Sequence, residues 1–432
     1  MRLWLGLFLL GFVAPLCRGG DASYDLHEWG VFPVPRNAAW AMLDTRAELS
    51  TMPDFFYMIW PKERLPWQGD VTKPVIYLYP TQPLEMKLKI RFADGRPLVW
   101  WPAASSPVGG AYEDKPANEL CFDLRVGDFA PPGSFQRKRL DQIAQGKIKE
   151  SVIEHKRISD TAVPDVEKGH WIEALRAVPS AKVYTHGGHS RMGYDGDQVE
   201  KFIYYDGLMK APETPQLARD GEALVVRSNF PYAISDLMVI DHDGAHTRIG
   251  KAWTNVAAGE QTTRLEQISA GDAKGDPKTI ATLSEDFVKH LVAAGLTTEE
   301  SVALEKVWHE GLFQHQGLSL FYRVPQETYD AWLPLTADPK PAKIVRVGIV
   351  LHQHLEPELE ANVAALIKKL GADEFDTRQQ ALQALMNIGG AAFPYLEAAI
   401  KGATVDVEIA NGCRKVLEVL DARKGLDAPK KH

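Results

Sequence analysis

His186 and His189 stand three apart around a Gly-Gly pair in "YTHGGHS", a spacing that lets two imidazoles reach one ion from a loop. His170 upstream, and Asp195 or Asp197 in "GYDGD", are the residues that would complete the set, with zinc as the expected ion. A catalytic zinc needs three protein ligands and the spacing secures only two. The other histidine pairs fall shorter. His309 and His315 in "HEGLFQH" are six apart, whereas a zincin helix presents its histidines four apart on one face. His352 and His354 in "LHQH" share one face of any strand, but they border a segment that reads as a linker. "GHSRMG" (Gly188–Gly193) places its second glycine one position too far for a nucleophile elbow, and no helix follows it. "DHDG" from Asp241 reads as a turn, because a calcium loop would need further oxygen ligands downstream. A Walker loop and a dinucleotide-binding glycine run are both missing. A formal charge of −8 and a pI near 5.9 argue against a nucleic-acid partner.

Aromatic residues offer a different chemistry. Six tryptophans lie between Trp29 and Trp101, and Trp100 and Trp101 must point to opposite faces of any strand that holds them. One can be core while the other is exposed, which is how a sugar-stacking platform begins; core packing explains the pair equally well. "LHEWGVF" raises the same question for charge. Leu26, Glu28, Gly30 and Phe32 fall on one side of a strand, His27, Trp29 and Val31 on the other. Glu28 is thereby set among apolar neighbours, where a carboxylate must pair with a cation or accept hydrogen bonds.

The elements that would position these residues change character along the chain. Arg2 followed by near-continuous apolar sequence from Leu3 to Leu16, then Gly19, Gly20 and Ala22, has the layout of a secretory signal over residues 1–20. Cys17 sits behind bulky Leu16, a poor fit to a lipidation site. No later stretch reaches the roughly 20 apolar residues of a spanning helix. Residues 21–354 read as a β-rich domain. "KPVIYLYP", "MKLKIRF", "NELCFDLRVG", "EKFIYYDG", "EALVVRSNF" and "SDLMVI" alternate or are β-branched, and Asp94-Gly95 and Asp243-Gly244 signal tight hairpins. The expected fold is mainly β, an antiparallel sandwich or open barrel, with a helical insertion near residues 284–316 for which Ser284 offers an N-cap. Residues 355–423 are helical almost throughout, with Gly371, Gly389 and Gly402 at stops and Asp373 or Asp376 at a start. Ile409, Cys413, Val416 and Leu420 form one apolar stripe, and the segment is expected to pack on the β-domain. Residues 424–432 read as a flexible tail. Cys121 and Cys413 lie in different segments and read as buried thiols rather than a disulfide.

"HEWG", "KPVIYLY", "AGLTTEE", "FYRVP", "LPL" and the prolines before "IVRV" resemble dispersed blocks of an uncharacterised family of exported bacterial proteins. The helical segment resembles HEAT-like repeats. The first resemblance brings no catalytic residues with it, and "LHQH" departs from the charged residue it leads one to expect at the end of the final strand.

The expectation is an exported protein, periplasmic or extracellular, without enzymatic activity. It would bind protein or an envelope polymer, with no cofactor and no integral membrane segment after signal removal. The alternative is a metal-assisted hydrolase built on His186 and His189. N-terminal sequencing of the mature protein should find a start near Gly20 to Ser23; an intact Met1 would contradict export by a cleaved signal.

Overall fold

A computed structural model describes residues 23–34, 52–58, 68–105, 118–127, 163–185, 198–258, 263–269, 277–401 and 406–425, apart from a few positions within them. The proposed signal over residues 1–20 and the tail beyond residue 425 lie outside these. The architecture is mixed α/β rather than mainly β, because helices cover a sheet face as well as forming the C-terminal segment, and the sheets are open. The largest sheet runs in the order β16 (Ile268–Ser269), β13 (Thr247–Ile249), β12 (Ile234–His242), β17 (Gly317–Val324), β19 (Lys343–His352), β1 (Tyr24–Val34), β3 (Gln68–Pro80), β9 (Ile203–Lys210), β5 (Arg96–Trp101) and β2 (Tyr57–Met58). β14 (Thr254–Val256) adds to β12. A second sheet contains β18 (Leu335–Asp338), β4 (Leu84–Arg91), β6 (Glu119–Val126), β7 (Val183–Thr185) and β8 (Gln198–Glu200). A small third sheet joins β10 (Gln216–Asp220), β11 (Ala223–Arg227) and β15 (Thr263–Leu265).

Among the described residues, one strand pair departs from the antiparallel expectation. β1 and β19 run parallel, Glu28 opposite Arg346 and Gly30 opposite Gly348. A parallel pair needs a long crossover, and here nearly the whole domain supplies it. The first and last strands of the domain are therefore neighbours at the centre of the large sheet.

Both faces of that sheet are covered, which explains why β1 and β9 are buried almost throughout while β4 alternates strictly between buried and exposed. On one face, Leu26, Phe32, Ile76, Leu78, Tyr205, Tyr322 and Val350 share an apolar core with Leu84, Met86, Leu88 and Ile90 of β4 and Leu120, Phe122 and Leu124 of β6. On the other, Trp29, Val31, Val75, Tyr77, Tyr204, Phe321, Val347 and Ile349 pack under helices. Those helices are α1 (Ile172–Arg176), α2 (Pro277–Ala293) and α3 (Thr298–His309), followed by a π-turn at Glu310–Gln314. A short α4 (Gln326–Trp332) caps the first core through Tyr329.

Two turn expectations separate here. β12 and β13 do form the hairpin that Asp243-Gly244 signals. Asp94-Gly95 instead carries the chain from one sheet to the other, since β4 pairs with β6 and β18 while β5 pairs with β9 and β2. The turn docks on β9: Lys210 N–H donates to Asp94 O at 3.0 Å, and a Cβ on Gly95 would lie 1.9 Å from the Leu208 carbonyl oxygen. Ser284 also proves not to be a cap. It sits inside α2, and its hydroxyl donates to Glu305 Oε1 at 2.6 Å.

The C-terminal helices are α5 (Leu359–Lys369), α6 (Phe375–Ile388), α7 (Phe393–Lys401) and α8 (Val407–Gly425). They pack on one another around Val363, Leu385, Leu396, Cys413, Val416 and Leu420, with Ile409 half-buried. This core shares no residue with the two cores of the β-domain; Leu355 belongs to one and Leu359 to the other. The helices thus bury their apolar side chains in a cluster of their own. Neither Asp373 nor Asp376 caps α6, whose N-cap is Glu374 without a side-chain cap bond. Cys413 is buried and Cys121 half-buried, and both are free thiols.

Val416→Asp places a charge in a site with no exposure and should cost the helical segment more than about 3 kcal/mol. Hydrogen exchange should show protection lost across residues 359–425 and kept in β1 and β19. Loss throughout the chain would show one cooperative unit.

Candidate functional site

Glu28 enters the apolar space between the sheets, as the alternation of "LHEWGVF" requires. It has no solvent exposure. Arg346 Nε donates to Glu28 Oε2 at 2.6 Å, Tyr329 Oη donates to Oε1 at 3.0 Å, and Tyr205 Oη donates to the same oxygen. The guanidinium also reaches Asp330 Oδ1 at 2.7 Å and the Leu333 carbonyl at 2.8 Å, and it lies 4.2 Å from the centre of the Tyr329 ring. Burial works against the Arg346 charge, but Glu28 beside it prevails and holds its pKa above the ordinary arginine value. Burial, then the Glu28 charge, pushes both Tyr205 and Tyr329 well up, so each keeps the proton that it donates. The cluster ties β1, β9, β19 and α4 together.

Glycine makes this approach possible. A Cβ on Gly30 would meet Tyr329 Oη at 3.0 Å, and one on Gly348 would meet the Tyr329 and Phe32 rings at about 3 Å. The two glycines face each other across the parallel pair, forming a shallow track in which the tyrosine lies.

His27, on the opposite face, is buried rather than solvent-facing. Its Nδ1 is 2.9 Å from Glu300 Oε2, and Tyr79 Oη donates to Glu300 Oε1 at 2.8 Å. Glu300 also completes the capping box of α3 with Thr297: its carboxylate accepts the Thr297 N–H at 2.6 Å, and its own N–H donates to Thr297 Oγ1 at 3.1 Å. The same carboxylate therefore starts the helix and fastens it to β1. Tyr79 keeps its proton, because burial and then Glu300 raise its pKa.

Trp100 and Trp101 lie on β5 and both are buried, at 5% and 0% exposure, which leaves neither ring open for stacking. Trp101 Nε1–H donates to Glu200 Oε2 at 3.1 Å, and Arg176 Nη2 donates to the same oxygen at 2.7 Å. Glu200 is a third buried carboxylate held by a cation and an aromatic donor.

His186, His189, Asp195 and Asp197 lie outside the described residues. His170 is described: it is half-buried, its Nδ1 accepts the Ile172 N–H at 3.3 Å, and its ring packs on Trp171. Among the described residues, no group of three or more His, Cys, Asp or Glu side chains is placed to hold a metal ion. The two histidines of "LHQH" part company. His352 ends β19 and stacks on Tyr322, whose hydroxyl is 3.3 Å from Nε2; burial lowers its pKa to about 3. His354 leaves the strand with φ 54° and meets His315 from the end of the π-turn, Nε2 to Nε2 at 3.2 Å. Burial, then His354, lowers the His315 pKa to about 4. The unfolded chain takes up these two protons near pH 6.5 while the folded chain resists them. Stability from this source is complete above about pH 6.5 and drains as pH falls toward 3.

Sequence reasoning required Glu28 to pair with a cation or accept hydrogen bonds but did not find its partners, nor Glu300 as the partner of His27. One signal was available for the second: "TTEE" is a capping box, and its glutamate had to meet a donor if the helix start was buried.

Glu28→Gln leaves Arg346 buried with only half-exposed Asp330 as a counter-charge, and should lower stability by about 3 kcal/mol. Asp330→Asn should cost less than about 1 kcal/mol, because that carboxylate is screened by water. Denaturant unfolding of both variants checks the order; equal effects would mean that the buried pair is not special.

No protein-family model matches the chain, and no curated protein matches it. A solved structure of the Fcho1 mu homology domain of Danio rerio with a bound Eps15 peptide is similar over 77% of this chain and 96% of that one, at 6% identity. The TM-score is 0.26, and a likeness at that level carries no argument about this protein.

Proposed function

We propose that the protein is an exported, non-enzymatic binding protein whose C-terminal helices, read as HEAT-like repeats, engage a protein partner. One observation carries the reading. Phe375 and Val407, 63% and 73% exposed, stand at the starts of α6 and α8. These starts lie together: Arg378 Nε is 3.8 Å from Glu408 Oε1, and the Arg378 guanidinium lies 5.8 Å from the Phe375 ring centre. Asp373, Glu374, Asp376, Asp406 and Glu408 are exposed around the two apolar side chains. Two apolar anchors within a carboxylate rim suit a basic segment with apolar residues of its own. The buried carboxylates of the β-domain add support, because Glu28, Glu200 and Glu300 already serve as anchors between elements.

Fluorescence anisotropy with a labelled Leu/Lys amphipathic peptide should show saturable, salt-sensitive binding to the full-length protein. Phe375→Asp should abolish it without lowering the melting temperature, and a Leu/Glu peptide should not bind. Equal binding of both peptides, or binding that survives Phe375→Asp together with Val407→Asp, would overturn the reading.

A further inference from the structure

His315 and His354 come from distant parts of the chain, one after the π-turn and the other after the last strand of the β-domain. Their relative geometry is not that of a collinear hydrogen bond. A collinear N–H···N contact at 3.2 Å would set the ring centres about 5.4 Å apart, given about 1.1 Å from ring centre to nitrogen. The centres are 4.7 Å apart and the rings are inclined at 76°, so the two nitrogens do not point straight at each other. Two imidazoles on one zinc at about 2.0–2.1 Å place their nitrogens roughly 3.2–3.4 Å apart and their centres about 5 Å apart. The observed pair lies close to that arrangement.

The surroundings are those of a ligand pair. Glu356 Oε1 lies 3.6 Å from His354 Nδ1 and accepts the Leu318 N–H at 2.8 Å. A carboxylate on the far nitrogen of a histidine fixes the tautomer and frees Nε2 for a metal. The packing there depends on Gly317, at φ 98°, where a Cβ would lie 2.2 Å from Glu356 Oε1 and 3.0 Å from His354 Nδ1. His354 itself adopts φ 54°, an unfavourable conformation for a side-chain-bearing residue that surrounding structure must sustain. His242, the other titratable group acting on His315, has its Nε2 2.8 Å from the Phe313 carbonyl oxygen.

We propose that His315 and His354 form a two-imidazole site for a borderline divalent ion, zinc or copper(II), which clamps the segment leading from β19 to the C-terminal helices. The two Nε2 lone pairs displace two waters from the hydrated ion, and water keeps its other positions. With Nδ1 of His354 protonated toward Glu356, the proton between the rings belongs to Nε2 of His315, and binding moves it through water to Nδ1 of His315, so no oxidation or reduction is involved. The site is independent of the surface proposed on α6 and α8.

The test uses full-length protein stripped with EDTA and titrated calorimetrically with zinc chloride alone. A single ion should bind and raise the melting temperature. His315→Gln and His354→Gln should each weaken binding more than tenfold, and Glu356→Gln by about tenfold. The double variant His186→Asn, His189→Asn should bind as the wild type does. Copper(II) electron paramagnetic resonance should show two nitrogen ligands in the wild type and one in His315→Gln, which decides the matter even if His354→Gln fails to fold. No zinc bound by the wild type, or binding unchanged by His315→Gln, would overturn the proposal.

Discussion

The ion pair between Glu28 and Arg346 joins the first strand of the β-domain to its last, at the centre of its largest sheet, with both charges out of water. A charge in that position is tolerable only when it is paired and its remaining hydrogen-bonding capacity is used. The surrounding arrangement follows from that requirement. Tyr205 and Tyr329 supply the further donors to the carboxylate, and Asp330 and the Leu333 carbonyl occupy the guanidinium. α4 must lie against the sheet to deliver Tyr329, and Gly30 and Gly348 leave the room for it. A parallel register brings Glu28 and Arg346 side by side; a slip of one residue would turn Arg346 to the other face.

The opposite face repeats the logic with a helix. Glu300 begins α3 and holds His27, so helix position and strand position are set by one carboxylate. Glu200, between Arg176 and Trp101, does the same for α1 and β5. The three arrangements share a plan in which a carboxylate without exposure accepts from a basic side chain on another element and from an aromatic donor. Such clusters specify which elements meet more than they add net stability, since their desolvation offsets much of their attraction.

Much of this was legible in the residues. The alternation of "LHEWGVF" divided its side chains between two faces, and the structure keeps that division, Leu26 and Phe32 in one core, Trp29 and Val31 in the other. The "MKLKIRF" strand and the helical C-terminal segment were readable for the same reason, because local periodicity is a property of the segment itself. What escaped was long-range. Nothing near Glu28 points to a residue 318 positions later, and a parallel pair cannot be told from an antiparallel one by alternation alone. Asp94-Gly95 misled because its local signal is a turn, whereas the partner sheet is decided by which strands bury the flanking residues. His315 and His354 were each visible as parts of separate motifs, and only the fold brings them together. "HEWG" lies in β1, "KPVIYLY" and "IVRV" lie on the two strands beside it, and "TTEE" meets it through Glu300 and His27, whereas "FYRVP" belongs to β17, one strand further away.

The most direct measurement is a double-mutant cycle of unfolding free energies for Glu28→Gln, Arg346→Met and the two together. If the buried pair holds the first and last strands to each other, the coupling should exceed about 1.5 kcal/mol, with the double variant more stable than Arg346→Met alone. Coupling near zero, with the two single effects simply adding, would contradict the account.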